Sequence, residues 1–190
     1  MTATSAVVGK EKKVDGQRPP LQGVIIRDAV EADLPAIVEI YNAAIRGRIS
    51  SAQLEEVSVE ERLPWFRWHA PDSFPLWVAE IGGQIAGWLS FHSYIKRPAY
   101  RGTAEISVYV SEKFRRAGVG RSLVEKAIAS APELGATALV GCIFGHNAAS
   151  LRLFERMGFE RWGFLPRVAR VDGVERDLVI MGRHVKRQHL

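Results

Sequence analysis

The 190-residue sequence contains a single cysteine, Cys142. One thiol excludes an intrachain disulfide framework and a cysteine-type zinc site, and it makes a reducing cytoplasm the expected compartment. No metal is expected. No apolar run approaches the roughly 18 to 20 residues of a membrane span, so a membrane partner is not expected either. Residues Met1 to Pro20 lack the apolar segment of a secretory signal. Internal repeats and long blocks of like charge are missing too. The 26 basic residues exceed the 21 acidic ones, for a net charge of +5, but they are scattered. The short clusters are Arg115-Arg116 and Arg183, His184, Lys186, Arg187. That distribution argues against a nucleic-acid groove and suits a small polyanionic ligand. Cys142 lies in the apolar stretch Thr137 to Phe144. There it reads as a buried small hydrophobe rather than a nucleophile.

A composition of 47% hydrophobic and 25% charged residues describes an ordinary globular domain. Residues 1–22, ending Arg18-Pro19-Pro20, read as a flexible N-terminal tail, and residues 23–190 as one domain. Val24 to Arg27 reads as a strand. Ile37, Ile40, Tyr41, Ala44 and Ile45 give the stripe of an amphipathic helix that Gly47 can end. Ser58 and Glu61 form a capping box at the start of a second helix. Strands follow at Leu76 to Ile81 and Ile85 to Ser93, around the turn Gly82-Gly83. The next elements are a polar loop at Lys96 to Gly102, a strand at Ala104 to Val110 and a helix over Gly118 to Ser130. Then come a strand at Thr137 to Ile143, a helix at Ala148 to Met157, and two strands around Asp172-Gly173. The order β-α-α-β-β-β-α-β-α-β-β predicts an α/β (α+β) fold with a mixed, mainly antiparallel, twisted sheet flanked by helices.

The chemistry is most visible between Ser107 and Arg121. A strand runs into the basic, glycine-containing loop Arg115-Arg116-Ala117-Gly118-Val119-Gly120-Arg121, and a helix begins at once. Loop amides and a helix N-terminus make an anion cradle. Gly118 and Gly120 would let the backbone approach a phosphate without an intervening Cβ. This is neither a Walker A loop nor a dinucleotide fingerprint.

Arg115-x-x-Gly118-x-Gly120 after a strand resembles the pyrophosphate motif of the GNAT superfamily of N-acetyltransferases. A second motif, Asn147-x-x-Ser150-x-x-Leu153-Phe154-x-x-x-Gly158-Phe159, follows at the family's spacing. The resemblance spans roughly residues 24 to 182. Ile40-Tyr41-Asn42, Arg97-x-Ala99-Tyr100 and Glu105-x-Ser107-Val108-Tyr109-Val110 are similar to the phosphinothricin and L-amino-acid N-acetyltransferase branch.

The resemblance implies acetyl-CoA as cosubstrate, a small amine as acceptor and a homodimer. It implies that Val108, Tyr109 and Val110 hold the pantetheine arm, chiefly through backbone groups. Backbone amides from Arg116 through Ala117, Gly118, Val119 and Gly120 to Arg121, with Arg115 beside them, would hold the pyrophosphate. Asn147 and Ser150 would bracket the arm near the thioester, although Asn147 also reads as a helix N-cap. Gly158-Phe159 reads as a helix stop and a core aromatic. Glu105 is the candidate base, because an ammonium must lose a proton before it can attack. The alternative for Glu105 is a salt bridge to Arg97 or Arg101. Lys96, Arg97, Tyr100, Glu105 and Ser107 are the candidate acceptor-binding residues. Two positions depart from the family. Phe154 stands where relatives carry a Tyr or His that can protonate the leaving thiolate, with Tyr109 and Tyr94 as possible substitutes. Ala52 stands where the branch has an aromatic wall. Competing readings keep the fold but change the acceptor to a polyamine, aminoglycoside or protein N-terminus, or make the chain a non-catalytic CoA-binding regulator.

Overall fold

The computed structural model describes residues 23–185; the expected N-terminal tail and the basic residues Lys186 and Arg187 lie outside them. Seven strands form one sheet: β1 Val24–Asp28, β2 Leu76–Ile81, β3 Gln84–Ser93, β4 Thr103–Val110, β5 Ala138–Phe144, β6 Glu160–Val171 and β7 Val174–His184. The helices are α1 Leu34–Arg46, α2 Val59–Trp68, α3 Val119–Ser130 and α4 Ala148–Arg156. Sheet order is β1-β2-β3-β4-β5-β7-β6. Every neighbouring pair is antiparallel except β4 with β5. The order of elements and the mixed sheet are those expected from the sequence.

Side-chain alternation assigns the two faces. On one face Trp77, Ala79, Leu89, Phe91, Ala104 and Ile106 pack against Val119, Leu123, Val124 and Ala127 of α3 and Phe154 of α4. On the other, Leu76, Val78 and Trp88 pack against Ile37 and Ile40 of α1, with Trp65 and Phe66 of α2 covering them. The even positions of β4 therefore serve the α3 side. Glu105, Ser107 and Tyr109 alternate to the α1/α2 side.

Local chemistry fixes the element ends. Ser58 Oγ accepts from the Glu61 amide at 3.1 Å, and the Glu61 carboxylate accepts from the Ser58 amide at 2.7 Å. Both hairpin turns use two left-handed residues, Gly82-Gly83 and Asp172-Gly173, as the twist of the flanking strands requires. The end of α1 differs from expectation. Gly47 stays right-handed at φ −68°, and Arg48 takes the left-handed conformation at φ 54°. Contacts anchor Arg48 there: its side chain donates to the Leu54 carbonyl at 2.6 Å and pairs with Asp172 at 2.8 Å. No helix among the described residues is long and apolar enough to cross a membrane.

Candidate active site

The site begins with a seam that opens. β4 pairs with β3 from Ala104↔Ser93 to Val110↔Gly87. On its other edge it pairs with β5 at three positions only, the last being Glu105↔Val140. Beyond that point β5 stays with β7 as far as Phe144↔Leu178. The two strands diverge, and peptide groups of Ile106–Val110 and Gly141–Phe144 face each other without a sheet partner. Unpaired peptide groups in the middle of a sheet need a partner from elsewhere. A cleft of about 460 Å³ fills the gap, and Glu105, Ser107, Val108, Tyr109, Asn147 and Ser150 line it as a group. Tyr41 and the segment Ser50–Gln53 close it from the α1 side.

One end of β4 leads to the glycine loop. Arg116 and Gly118 both take positive φ, 66° and 80°. Gly118 caps α3 without a side chain, and the first helical bond runs from the Ser122 amide to the Gly118 carbonyl at 3.0 Å. The amides of Val119, Gly120 and Arg121 therefore have no partner within the helix, leaving donors for an anion. Gly120 carries a packing constraint that the sequence did not announce. A Cβ there would meet Leu153 Cδ2 at 3.2 Å and Val110 Cγ2 at 3.4 Å. Its small size serves the packing of α3 on α4 and β4, whereas Gly118 serves the turn. Arg115 pairs with Glu112 at 2.9 Å and Arg121 with Glu125 at 2.7 Å, both pairs exposed. Their charge is partly spent locally. Val110 and the loop from Arg115 to Arg121 lie outside the cleft lining itself.

At the apex of the seam sits Glu105. It makes no salt bridge with Arg97 or Arg101; burial holds its carboxyl above the usual range, and the Cys142 thiol offsets this in part. Cys142 corrects the sequence reading. It is exposed at the cleft wall, not buried in the core, because β5 has already left β4 at that point. The cleft walls withdraw the sulfur in part from water, and this, with the neighbouring Glu105 carboxylate, pushes its thiol up to about 12. It is a proton-bearing wall, not a thiolate. Opposite Glu105 in the register stands His92, and opposite Ser107 stands Ser90. His92 Nε2 lies 2.9 Å from Ser90 Oγ. Burial, with the charges of His69 and Arg62, lowers His92 to about 4, so it is neutral at neutral pH.

Asn147 is both cap and wall. Its Oδ1 accepts from the Ser150 amide at 3.1 Å, and both residues line the cleft. Gly158 ends the α4 segment at φ 75°, and Phe159 is buried in the core. Phe154 lies under the cleft with its ring over Gly141, where a Cβ would fall 2.4 Å from Phe154 Cε1. Gly141 exists to seat that ring. Tyr109 is packed, half-buried, between Tyr41 and Trp88, with ring centroids at 5.3 Å and 4.5 Å. Burial raises its phenol, as it does that of Tyr94, whose neighbours include Cys142 and Glu105. Lys96, Arg97 and Tyr100 are exposed on the loop entering β4 and do not line the cleft. Sequence reading missed Cys142 and Gly141 as cleft residues. Their apolar strand gave no sign that its edge is unpaired. No group of His, Cys, Asp and Glu that could hold a metal ion occurs among the described residues.

A family model described as acetyltransferase (GNAT) family matches residues 34–159. This chain belongs to that family. Among curated relatives, YwnH of Bacillus subtilis strain 168, provisionally named a phosphinothricin acetyltransferase, is 46% identical over 161 residues, 84% of this chain and 98% of that protein. An L-methionine sulfoximine/L-methionine sulfone acetyltransferase of Pseudomonas aeruginosa is 36% identical over 157 residues, 82% of this chain and 91% of that protein. Among solved structures, a GNAT superfamily phosphinothricin acetyltransferase from Sinorhizobium meliloti in complex with AcCoA superposes with a TM-score of 0.82. It is 27% identical and covers 86% of this chain and 89% of that one. The open seam, the glycine loop and the α4 cap are thus features of a GNAT acetyltransferase.

Proposed function

We propose that this GNAT acetyltransferase moves an acetyl group from acetyl-CoA to the α-amine of a small amino acid or analogue, of the methionine sulfoximine or phosphinothricin kind. The observation that carries the reading is the unpaired β4 edge with a buried carboxylate, Glu105, at its apex. The cosubstrate supplies an activated thioester. Free peptide groups around Val108 and Val110 suit an extended amide-bearing chain lying along the edge, and the amides of Val119 to Arg121 suit its pyrophosphate. Asn147 and Ser150 border the thioester end.

Glu105 takes a proton from the acceptor ammonium, directly or through one water, and frees the lone pair for attack on the carbonyl carbon. Burial raises its pKa and so brings it closer to that of the group it must deprotonate. Holding amine and thioester together in the cleft contributes much of the rate, and backbone amides at the seam meet the developing oxyanion. Phe154 supplies no proton to the departing sulfur. The protic groups the cleft offers instead are Cys142, Ser107, Ser150, Tyr41 and Tyr109. Lys96, Arg97 and Tyr100, at the Glu105 end of the sheet, form the approach for the acceptor. The enzyme works as a homodimer in the cytoplasm.

Release of CoA thiol from acetyl-CoA, measured over an acceptor panel, tests this. L-Methionine sulfoximine, L-methionine sulfone and phosphinothricin are expected to be acetylated, with spermidine, aminoglycosides and peptide N-termini much slower. Faster turnover of the polycationic or peptide acceptors would overturn the substrate class, and release unchanged by every amine would overturn the activity.

A further inference from the structure

A departing thiolate takes up a proton, and the proton that Glu105 removes from the acceptor needs an exit. One wall of the cleft serves both needs. β4 and β5 run parallel where they still pair, so Glu105 and Val140 project to the same face, and Cys142, two residues on, projects with them. Cys142 lies past the last β4–β5 pair, on the open part of the seam, and lines the cleft together with Glu105, Asn147 and Ser150. The side chain that hydrogen-bonds the Glu105 carboxylate is the Cys142 thiol, which donates to it.

The other groups around the cleft are worse placed to hand on that proton. Phe154, against Gly141, carries none. Tyr109 is packed between the rings of Tyr41 and Trp88, and the Tyr41 hydroxyl is engaged by Ser51 at 3.3 Å. Tyr94 stands near Cys142 and Glu105 but does not line the cleft. The Ser107 and Ser150 hydroxyls line it without perturbing the Glu105 carboxyl. Cys142 alone combines a place in the cleft wall with contact to the base.

We propose that Cys142 is a proton carrier, passing the proton that Glu105 takes from the acceptor nitrogen to the departing sulfur of coenzyme A. This rests on the N-acetyltransferase reading above. The acceptor ammonium holds three protons and the amide keeps one. Glu105 takes the first, the amine attacks the thioester carbonyl, and a second leaves the nitrogen for solvent as the C–N bond forms. When the C–S bond breaks, its electron pair stays on the CoA sulfur. That sulfur takes the Cys142 proton while the Glu105 acid delivers its own to the Cys142 sulfur. The products are amide and CoA thiol, with the Glu105 carboxylate and Cys142 thiol restored and no bond made to the enzyme. The two transfers are coupled: a thiol held up to about 12 yields its proton poorly alone, but yields it as a carboxylic acid replaces it. The same shift keeps the carrier loaded through the neutral range.

The test is single-turnover acetylation of L-methionine sulfone, or of the fastest acceptor in the panel above, in mixtures of light and heavy water. It compares the parent with Cys142→Ala and Cys142→Ser. The parent rate should depend on the deuterium fraction along a curve, because two protons move in one step. Cys142→Ala is expected to slow the chemical step about 10-fold or more and to straighten that curve. Affinities for acetyl-CoA and for the acceptor should stay within roughly twofold. Cys142→Ser, whose hydroxyl can receive one proton and give another, should stay within about threefold and keep the curve. A Cys142→Ala rate close to the parent's, a straight line in the parent, or equal losses in both variants would each overturn the proposal. Melting curves identify a folding defect; if Cys142→Ala unfolds, the parent's curve and its retention in Cys142→Ser decide. A parent that acetylates no amine overturns the acetyltransferase reading as well, whereas an active parent matched by Cys142→Ala overturns the carrier alone.

Discussion

The two halves of the proposed site are built differently. The cofactor half is mostly backbone: the unpaired edge of β4, the left-handed residues Arg116 and Gly118, and the first amides of α3. The half proposed for the acceptor is mostly side chains from distant parts of the chain: Tyr41 and Ser51 near α1, Glu105 on β4 and Cys142 on β5. Backbone recognition imposes glycines and caps at fixed spacing, so it leaves a motif in the sequence. Side-chain recognition assembled by the fold leaves only isolated residues, such as Tyr41 and Glu105, in short segments.

The contrast is sharpest at Glu105. Glu105→Gln is expected to lower kcat about 10²- to 10⁴-fold and leave acetyl-CoA affinity intact, as steady-state kinetics and calorimetry would show. A stability effect of opposite sign should accompany it. The folded-state pKa is raised, so the folded protein binds the proton more tightly than the unfolded chain does. That contribution is full below the unfolded value and is lost as pH rises through the folded value. Once ionised, above its folded-state value, Glu105 is therefore a burden on the fold. Glu105→Gln should melt higher than the parent at pH 7 to 8, and this advantage should vanish in acid. Full activity in the variant would place the base elsewhere.

In the cofactor half the largest effect belongs to the backbone. Gly118→Asp adds strain at φ 80° and a negative charge at the cradle, and is expected to weaken CoA binding about 100-fold or more by titration. Arg115→Ala should cost only a few-fold, because that side chain is exposed and paired with Glu112. A larger loss from Arg115→Ala than from Gly118→Asp would break the division between the halves.

Two smaller changes probe where the halves meet. Gly141→Ala places a methyl against the Phe154 ring, and should cost about 1 to 3 kcal/mol in denaturant melts, as overpacking does. Cys142→Ser should keep kcat within about threefold, because a thiol held near 12 is not a nucleophile at neutral pH. A loss approaching that of Glu105→Gln would instead point to an acyl-enzyme on Cys142.

Most of the fold was legible because its punctuation is local. The Ser58 capping box, the Gly82-Gly83 and Asp172-Gly173 turns and the stripe of α1 each act within a few residues. The glycine loop and the Asn147 cap were legible for the same reason. Three features were not. Cys142 sits in a run that reads as buried strand, and only the divergence of β5 from β4 exposes it. Gly120 is also constrained by Leu153, more than thirty residues away, which its loop does not announce. Arg62 stacks on Trp65 of its own helix and on Tyr41, and only the packing of α1 on α2 supplies the second ring. Each depends on a neighbour brought in by tertiary packing, which no local pattern encodes.

The most direct test of a backbone-held cofactor is amide hydrogen exchange with and without CoA. Added CoA is expected to slow exchange at Val108 and Val110 and from Gly118 to Arg121, and to leave Ser50 to Gln53 unchanged until an amino-acid acceptor is also present. Protection confined to the acceptor side, or none along β4 and the start of α3 at saturating CoA, would contradict the account.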